Sequence, residues 1–157
     1  VIAMQSTFDL RNAIAEDEGF VLRLEELSLR KFSDMRHFVP RPGMGDEFPG
    51  NCRIIRYENA DVGCLTVSEE NDCTHIDQLY LVPQARGLGI GRRVAGYLFS
   101  QAEKRGQRVQ VTILANCDAA GFFLAVGFHM VSRTSMTIKM EWSAKTQAGM
   151  TGGITNV

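Results

Sequence analysis

The sequence predicts an α+β domain (α/β by some schemes) built on a central, mixed, mostly antiparallel sheet. Three observations carry that prediction. Short alternating apolar runs separated by turn residues read as hairpin strands. One of these strands passes through a glycine-rich turn straight into a strongly amphipathic helix and on to a buried strand. A final pair of alternating runs closes the pattern.

Taken in order, Thr7–Asn12 alternates and reads as a short first strand. Asp17 caps a helix in which Phe20, Leu24 and Leu27, with Lys31-Phe32 beyond, fall on one face, running to about Arg30. Residues 31–50 carry Pro40, Pro42, Gly43, Gly45, Pro49 and Gly50 and form an irregular stretch too long for an ordinary connection. Cys52–Tyr57 and Val62–Val67 are alternating strands with Glu58-Asn-Ala-Asp61 as their turn. A second turn at Glu69-Glu-Asn-Asp72 leads into the strand Thr74–Val82. Ile90, Val94, Leu98 and Ala102, with Ala95 and Phe99 beside them, mark the clearest helix of the chain, which Gly106 stops. Val109–Leu114 is a buried strand, Asn116-Cys-Asp118 a helix start, Ala119–Val126 the helix and Gly127 its stop. Phe128–Arg133 and Met136–Trp142 are the closing strands. The expected organisation is a single domain over 1–142, with 143–157 as a mobile tail.

Composition bounds the function. The 157 residues are enough for one full core. A net charge of −1 argues against a general grip on nucleic acid. No apolar run approaches the roughly 18 residues of a membrane span. Val1-Ile-Ala-Met4-Gln5-Ser6 has neither a charged start nor a long apolar stretch, so no signal peptide is expected, and Met4 is a candidate natural start. The four cysteines, Cys52, Cys64, Cys73 and Cys117, lack C-x-x-C spacing and neighbouring histidines, so no metal site is expected. Cys64 and Cys117 read as small buried hydrophobes, and a reduced, cytoplasmic protein is the expectation.

The chemistry concentrates in Leu79-Tyr-Leu-Val-Pro-Gln-Ala-Arg86-Gly-Leu-Gly89-Ile-Gly91-Arg-Arg93. A glycine turn at a helix entrance gathers unpaired backbone N–H groups at the positive end of the helix dipole, which suits a phosphate or pyrophosphate. A nucleoside triphosphate loop would end in Gly-Lys-Ser/Thr, whereas this chain has Gly91-Arg92-Arg93. A dinucleotide fold would place a third glycine where Val94 stands, and its turn would follow a first parallel strand rather than a series of hairpins.

The stretch from Ile76 to Phe128 resembles the acetyl-coenzyme A core of the GCN5-related N-acetyltransferases, the GNAT family. Arg86-Gly87-Leu88-Gly89-Ile90-Gly91 matches the signature Gln/Arg-x-x-Gly-x-Gly/Ala. Leu79-Tyr80-Leu81-Val82-Pro83 matches the strand that pairs with the pantetheine arm, and Asn116 with Phe122–Phe128 is similar to the element Asn…Phe-Tyr-x-x-Leu-Gly-Phe. The resemblance implies the acyl-CoA N-acyltransferase fold, a sheet flanked by helices on both faces. It implies an enzyme passing acetyl from acetyl-CoA to a primary amine of a small molecule, or of a peptide, by direct attack. The alternative of another class is a coenzyme A-binding module with weak or no catalysis; a dinucleotide-binding protein is a third.

On this resemblance, main-chain N–H groups of Gly87, Leu88, Gly89, Gly91 and Arg92, with Ile90 among them, cradle the pyrophosphate, and Arg86 orders the turn. Arg92 and Arg93 either reach the 3′-phosphate or form a solvated helix face. Main-chain groups of Leu79 and Leu81, flanking Tyr80, hydrogen-bond the pantetheine, and a strand N–H supports the acetyl carbonyl as the tetrahedral intermediate forms. Asn116 contacts the cofactor or caps a helix. Phe123 stands where the family commonly has the tyrosine that protonates the leaving thiolate, and a phenyl ring has no proton to give. Tyr80 is the nearest alternative acid, though a strand tyrosine also serves as a packing residue. Asp77 matches a family acid that acts as base through water, and strand alternation puts His75 on the same face as Asp77, Leu79 and Leu81. His75 is a sound base near neutrality or a solvent-facing strand start. Acceptor specificity is assigned to the first helix and residues 31–50, and pairing of two copies through sheet edges or terminal strands is common in such domains.

Overall fold

A computed structural model describes residues 7–29, 48–115 and 119–144. Its strands are β1 (Phe8–Asn12), β2 (Cys52–Tyr57), β3 (Ala60–Glu70), β4 (Cys73–Leu81), β5 (Arg108–Leu114), β6 (His129–Arg133) and β7 (Thr137–Trp142). Its helices are α1 (Glu18–Leu29), α2 (Ile90–Arg105) and α3 (Ala119–Val126). The strands make one seven-stranded sheet in the order β1-β2-β3-β4-β5-β7-β6. The sheet is mixed because α2 carries the chain from β4 to β5, which pair in parallel; a crossover of that length is what a parallel pair needs. The segments expected at 31–47 and 116–118, including the helix start at Asn116, lie outside the described residues, as do Lys31-Phe32 and residues 145–157 of the expected tail.

The chain divides into two compact units, Val1–Val67 with Gln78–Ile90, and Ser68–Asp77 with Gly91–Val157. In the first, the hairpin turn between β2 and β3 shows its logic in the sequence at once. Glu58 and Asn59 have φ of 51° and 66°, so β2 and β3 are joined by two left-handed residues. That is the turn whose twist matches antiparallel strands. The second unit repeats the device at Asn71 and Asp72, with φ of 52° and 60° between β3 and β4. Asn and Asp tolerate this conformation better than other side-chain-bearing residues. The strands run longer than the apolar alternation suggested, β3 from Ala60 to Glu70, because its polar ends stay in the ladder.

The core under α1 contains Ala13, Val21, Leu24, Cys52, Ile54 and Cys64, with Phe20, Tyr80 and Val82 against it. Two details differ from the sequence reading. Leu27 is exposed, and the buried face of α1 is Val21, Leu24 and Glu25, one residue round the helix from the expected stripe. Asp17 is not the N-cap either. A 3-10 turn at Ala15–Asp17 starts the helical run earlier, and Asp17 reaches back from its third position to accept the N–H of Ile14 at 2.9 Å. The same carboxylate takes two N–H groups of Arg11, at 2.8 and 2.9 Å, and Arg11 also binds Asp61 at 2.9 Å. These paired hydrogen bonds hold the Asp17 carboxyl below its usual range and push the Arg11 guanidinium up.

In the second unit, Val94, Ala95, Leu98 and Ala102 of α2 are buried as the stripe predicts. Gly106 (φ 65°) and Gly127 (φ 117°) end α2 and α3 in left-handed backbone. Phe99 stacks on Trp142 of β7, ring centroids 4.1 Å apart and 11° from parallel. β5 pairs antiparallel with β7, Val109 opposite Trp142 through Leu114 opposite Thr137. Among the described residues no helix is long and apolar enough to cross a membrane.

Candidate active site

The glycine turn follows β4 through a 3-10 turn at Pro83–Ala85 and enters α2 at Ile90. Gly87 and Gly89 have φ of 79° and 81°, the left-handed region that L side chains rarely adopt. No atom lies within 4 Å of a Cβ built on either, so it is backbone conformation and not crowding that demands glycine there. Gly87, Leu88 and Gly89 are exposed, as is Arg92 in the first turn of the helix. Ile90 is 1% exposed, its side chain anchoring the helix while its main chain stays with the turn. The Arg86 Nε–H donates to the carbonyl of Leu81 at 3.3 Å and so ties the turn back to the last residue of β4.

Such a turn offers N–H groups converging at a helix N-terminus, where the helix dipole adds a favourable field for an anion. A pyrophosphate fits this donor set. The parallel ladder of β4 with β5 pairs Cys73 to Ile76 with Arg108 to Val111, and β4 continues to Leu81 beyond it.

Burial along β4 alternates. Thr74, Ile76 and Gln78 are buried, whereas His75, Asp77, Leu79 and Leu81 are half-buried on the other side of the strand. The two candidate bases therefore share a strand face with the two residues assigned to the pantetheine. Tyr80 belongs to the opposite face and packs on the core beneath α1. Gln78, beside it on that face, accepts the Thr66 hydroxyl at 2.7 Å. Asn116 lies outside the described residues.

Phe123 is 5% exposed and sits edge-on to Phe122 and to Phe128, with centroids 5.1 Å apart in both pairs. Its position in α3 is the one the resemblance gives to a proton donor. Here it is a ring in an aromatic cluster.

Two glycines matter through close contact: Gly63, which the sequence reading passed over, and Gly91, which it read only for its main chain. A Cβ at Gly63 would lie 2.3 Å from the carbonyl oxygen of Tyr80 and 2.8 Å from Leu81 Cδ2, so only glycine lets β3 approach this part of β4. A Cβ at Gly91 would lie 3.0 and 3.1 Å from the Cε1 and Cζ of Phe122. The usable signal was a glycine in a strand and one just inside a helix, each costly unless something comes close.

The cysteines are unpaired with one another by any disulfide among Cys52, Cys64 and Cys73, and all three are buried. The Cys64 thiol hydrogen-bonds Cys52, which lowers the Cys52 pKa and raises that of Cys64; burial pushes up Cys73.

A model of the acetyltransferase (GNAT) family matches residues 12–128. The fold agrees with solved structures. N-acetylglutamate synthase from Neisseria gonorrhoeae, in complex with coenzyme A and N-acetyl-glutamate, superposes with a TM-score of 0.69 at 16% identity over 88% of this chain. The match spans only 35% of that synthase. PaiA N-acetyltransferase from Thermoplasma acidophilum, in complex with coenzyme A, gives 0.69 at 11% identity, covering 87% of this chain and 99% of its own. The ribosomal-protein-S18-alanine N-acetyltransferase from Escherichia coli gives 0.65 at 14% identity, covering 86% and 92%. No curated protein matched the chain. The chain belongs to the acetyltransferase (GNAT) family.

Proposed function

We propose that this protein moves an acetyl group from acetyl-CoA to a primary amine of a small molecule, or of a peptide, by direct attack and without a covalent enzyme intermediate. The observation that carries this reading is the left-handed pair Gly87 and Gly89 at the mouth of α2, in a chain of the GNAT family. When bound, acetyl-CoA supplies an activated thioester. The chain's own part is to hold it and manage protons. The N–H groups from Gly87 to Arg92 receive the pyrophosphate, and the main chain of Leu79 and Leu81 receives the pantetheine. Asp77, through a water, or His75 takes the proton that the acceptor ammonium must lose before it can attack. Phe123 donates nothing, so the thiolate departs unaided, which a thiol of pKa about 8.5 permits.

A second reading, a coenzyme A-binding module with little turnover, is favoured by the burial of Phe123 in its aromatic cluster. The cytoplasm and a homodimer remain part of the proposal for its setting.

Calorimetric titration with coenzyme A tests the binding claim. The wild type is expected to bind and Gly87→Val/Gly89→Val to lose on the order of a hundredfold in affinity, since each β-branched residue in left-handed backbone costs about 1–2 kcal/mol. Stabilisation by NAD with none by coenzyme A would contradict it.

A further inference from the structure

The three glycines of the Arg86–Gly91 motif do two different jobs. Gly87 and Gly89 are needed for their dihedral angles and have open space around them. Gly91 is neither left-handed nor in the turn; it is the second residue of α2. A glycine inside a helix is about 1 kcal/mol worse than alanine, so it needs another reason. That reason is Phe122, whose ring edge would lie only 3.0 and 3.1 Å from a Cβ there, tighter than ordinary van der Waals contact.

The contact is anchored from behind. Phe122 meets Phe123 at 74° and Phe123 meets Phe128 at 77°, both edge-on at 5.1 Å. Phe128 packs on Phe99 at 5.6 Å, and Phe99 stacks on Trp142. Since Phe99 is itself on α2, the rings form a closed circuit. It leaves the helix at its first turn and rejoins it two turns later. Edge-on and stacked aromatic contacts of this kind are worth about 0.5–1.5 kcal/mol each beyond their buried area.

From this we infer that Phe122 is a positioning residue for the pyrophosphate of coenzyme A: its ring on Gly91 sets the seat and tilt of the first turn of α2, whose N–H groups make the anion site. The inference rests on the acetyl-CoA reading. Its physical basis is that hydrogen bonds weaken steeply with angle, and the helix field is confined to the first turn. A small shift of that turn misdirects several donors together. Phe122 touches no ligand in this account and acts only through Gly91.

The test is a set of dissociation constants for coenzyme A and for pantetheine, which lacks the pyrophosphate, measured on the full chain. Phe122→Ala is expected to weaken coenzyme A by on the order of tenfold, as a misplaced binding group does, while leaving pantetheine within about twofold. Phe122→Leu is expected to recover most of the loss. Gly91→Ala should weaken coenzyme A in the wild-type background and add little once Phe122 is alanine, because the space is then free. Equal loss for both ligands, additive effects of Gly91→Ala and Phe122→Ala, or unchanged coenzyme A affinity would overturn the inference. A wild type that binds no coenzyme A would overturn the acetyl-CoA reading itself, and this inference with it. If Phe122→Ala does not fold, Phe122→Leu and Gly91→Ala still decide the matter.

Discussion

In the function proposed for this chain, the turn at Arg86–Gly89 and the helix α3 act in opposite ways. In the turn the work falls to the main chain: two left-handed glycines, no crowding, and side chains such as Leu88 left in solvent. In α3 the side chains do it. Phe122 leans on Gly91, and Phe123 fills the position of a proton donor while buried among other rings. Main-chain sites tolerate any side chain compatible with the fold and forbid very few, so a handful of glycines betrays them. A side-chain site is decided by single atoms, and the difference between Phe and Tyr at residue 123 is one hydroxyl. On the proposed function, affinity for the cofactor and transfer of its acetyl group are separable.

Two substitutions sharpen that division, and a third serves as their control. Asp77→Asn tests the transfer side and carries the largest expected effect. A general base contributes about 10²–10⁴ in rate, so kcat is expected to fall at least about a hundredfold with coenzyme A affinity unchanged, as seen by paired kinetics and calorimetry. A variant with full turnover would move the base to His75. Gly63→Ala tests the main-chain side. Its methyl collides with the Tyr80 carbonyl, and overpacking of this kind costs roughly 1–3 kcal/mol. A lower melting temperature is expected together with a raised KM for acetyl-CoA, since Leu79–Leu81 must give way. A lower melting temperature with KM unmoved would detach this strand from the cofactor.

The smallest effect belongs to Asp17→Asn, away from both sites. The Asp17 carboxyl is held below its ordinary pKa by Arg11, so its contribution is complete above the unfolded value of about 3.9 and drains away as pH falls through the lower folded value. Asp17→Asn is expected to cost about 1–2 kcal/mol at neutral pH and to lose less stability on acidification than the wild type. Parallel denaturant titrations at pH 7 and pH 3 measure the difference. Identical pH dependence in both proteins would show the pair to be inert.

Much of the fold was legible because its signals are local. Glu58-Asn59 and Asn71-Asp72 announce tight turns, and the stripe from Ile90 to Ala102 announces α2. The face of α1 was read one residue off because Glu25, a charged residue, lies in the core while Leu27 does not; a hydrophobic pattern cannot anticipate a buried carboxylate. Asp17 was given the wrong place for a similar reason, since nothing in Ile14-Ala-Glu-Asp17 distinguishes the cap from the third helical position until Arg11 is seen to bind it. Of the site, the glycine motif and the alternation along β4 were readable. The role of Phe122 was not, because Ala-Ala-Gly-Phe-Phe-Leu-Ala-Val is apolar all round and carries no periodicity to show which ring faces what. Contacts between distant residues have to be seen.

The most direct test of the whole account is release of free coenzyme A thiol from acetyl-CoA, followed across a panel of primary amines with acetylated product identified by mass. The account predicts thiol release that depends on the amine, saturates with it, and is lost in Asp77→Asn. Tight binding of coenzyme A with no amine-dependent release from any member of the panel would contradict it, and would leave the chain a holder of the cofactor.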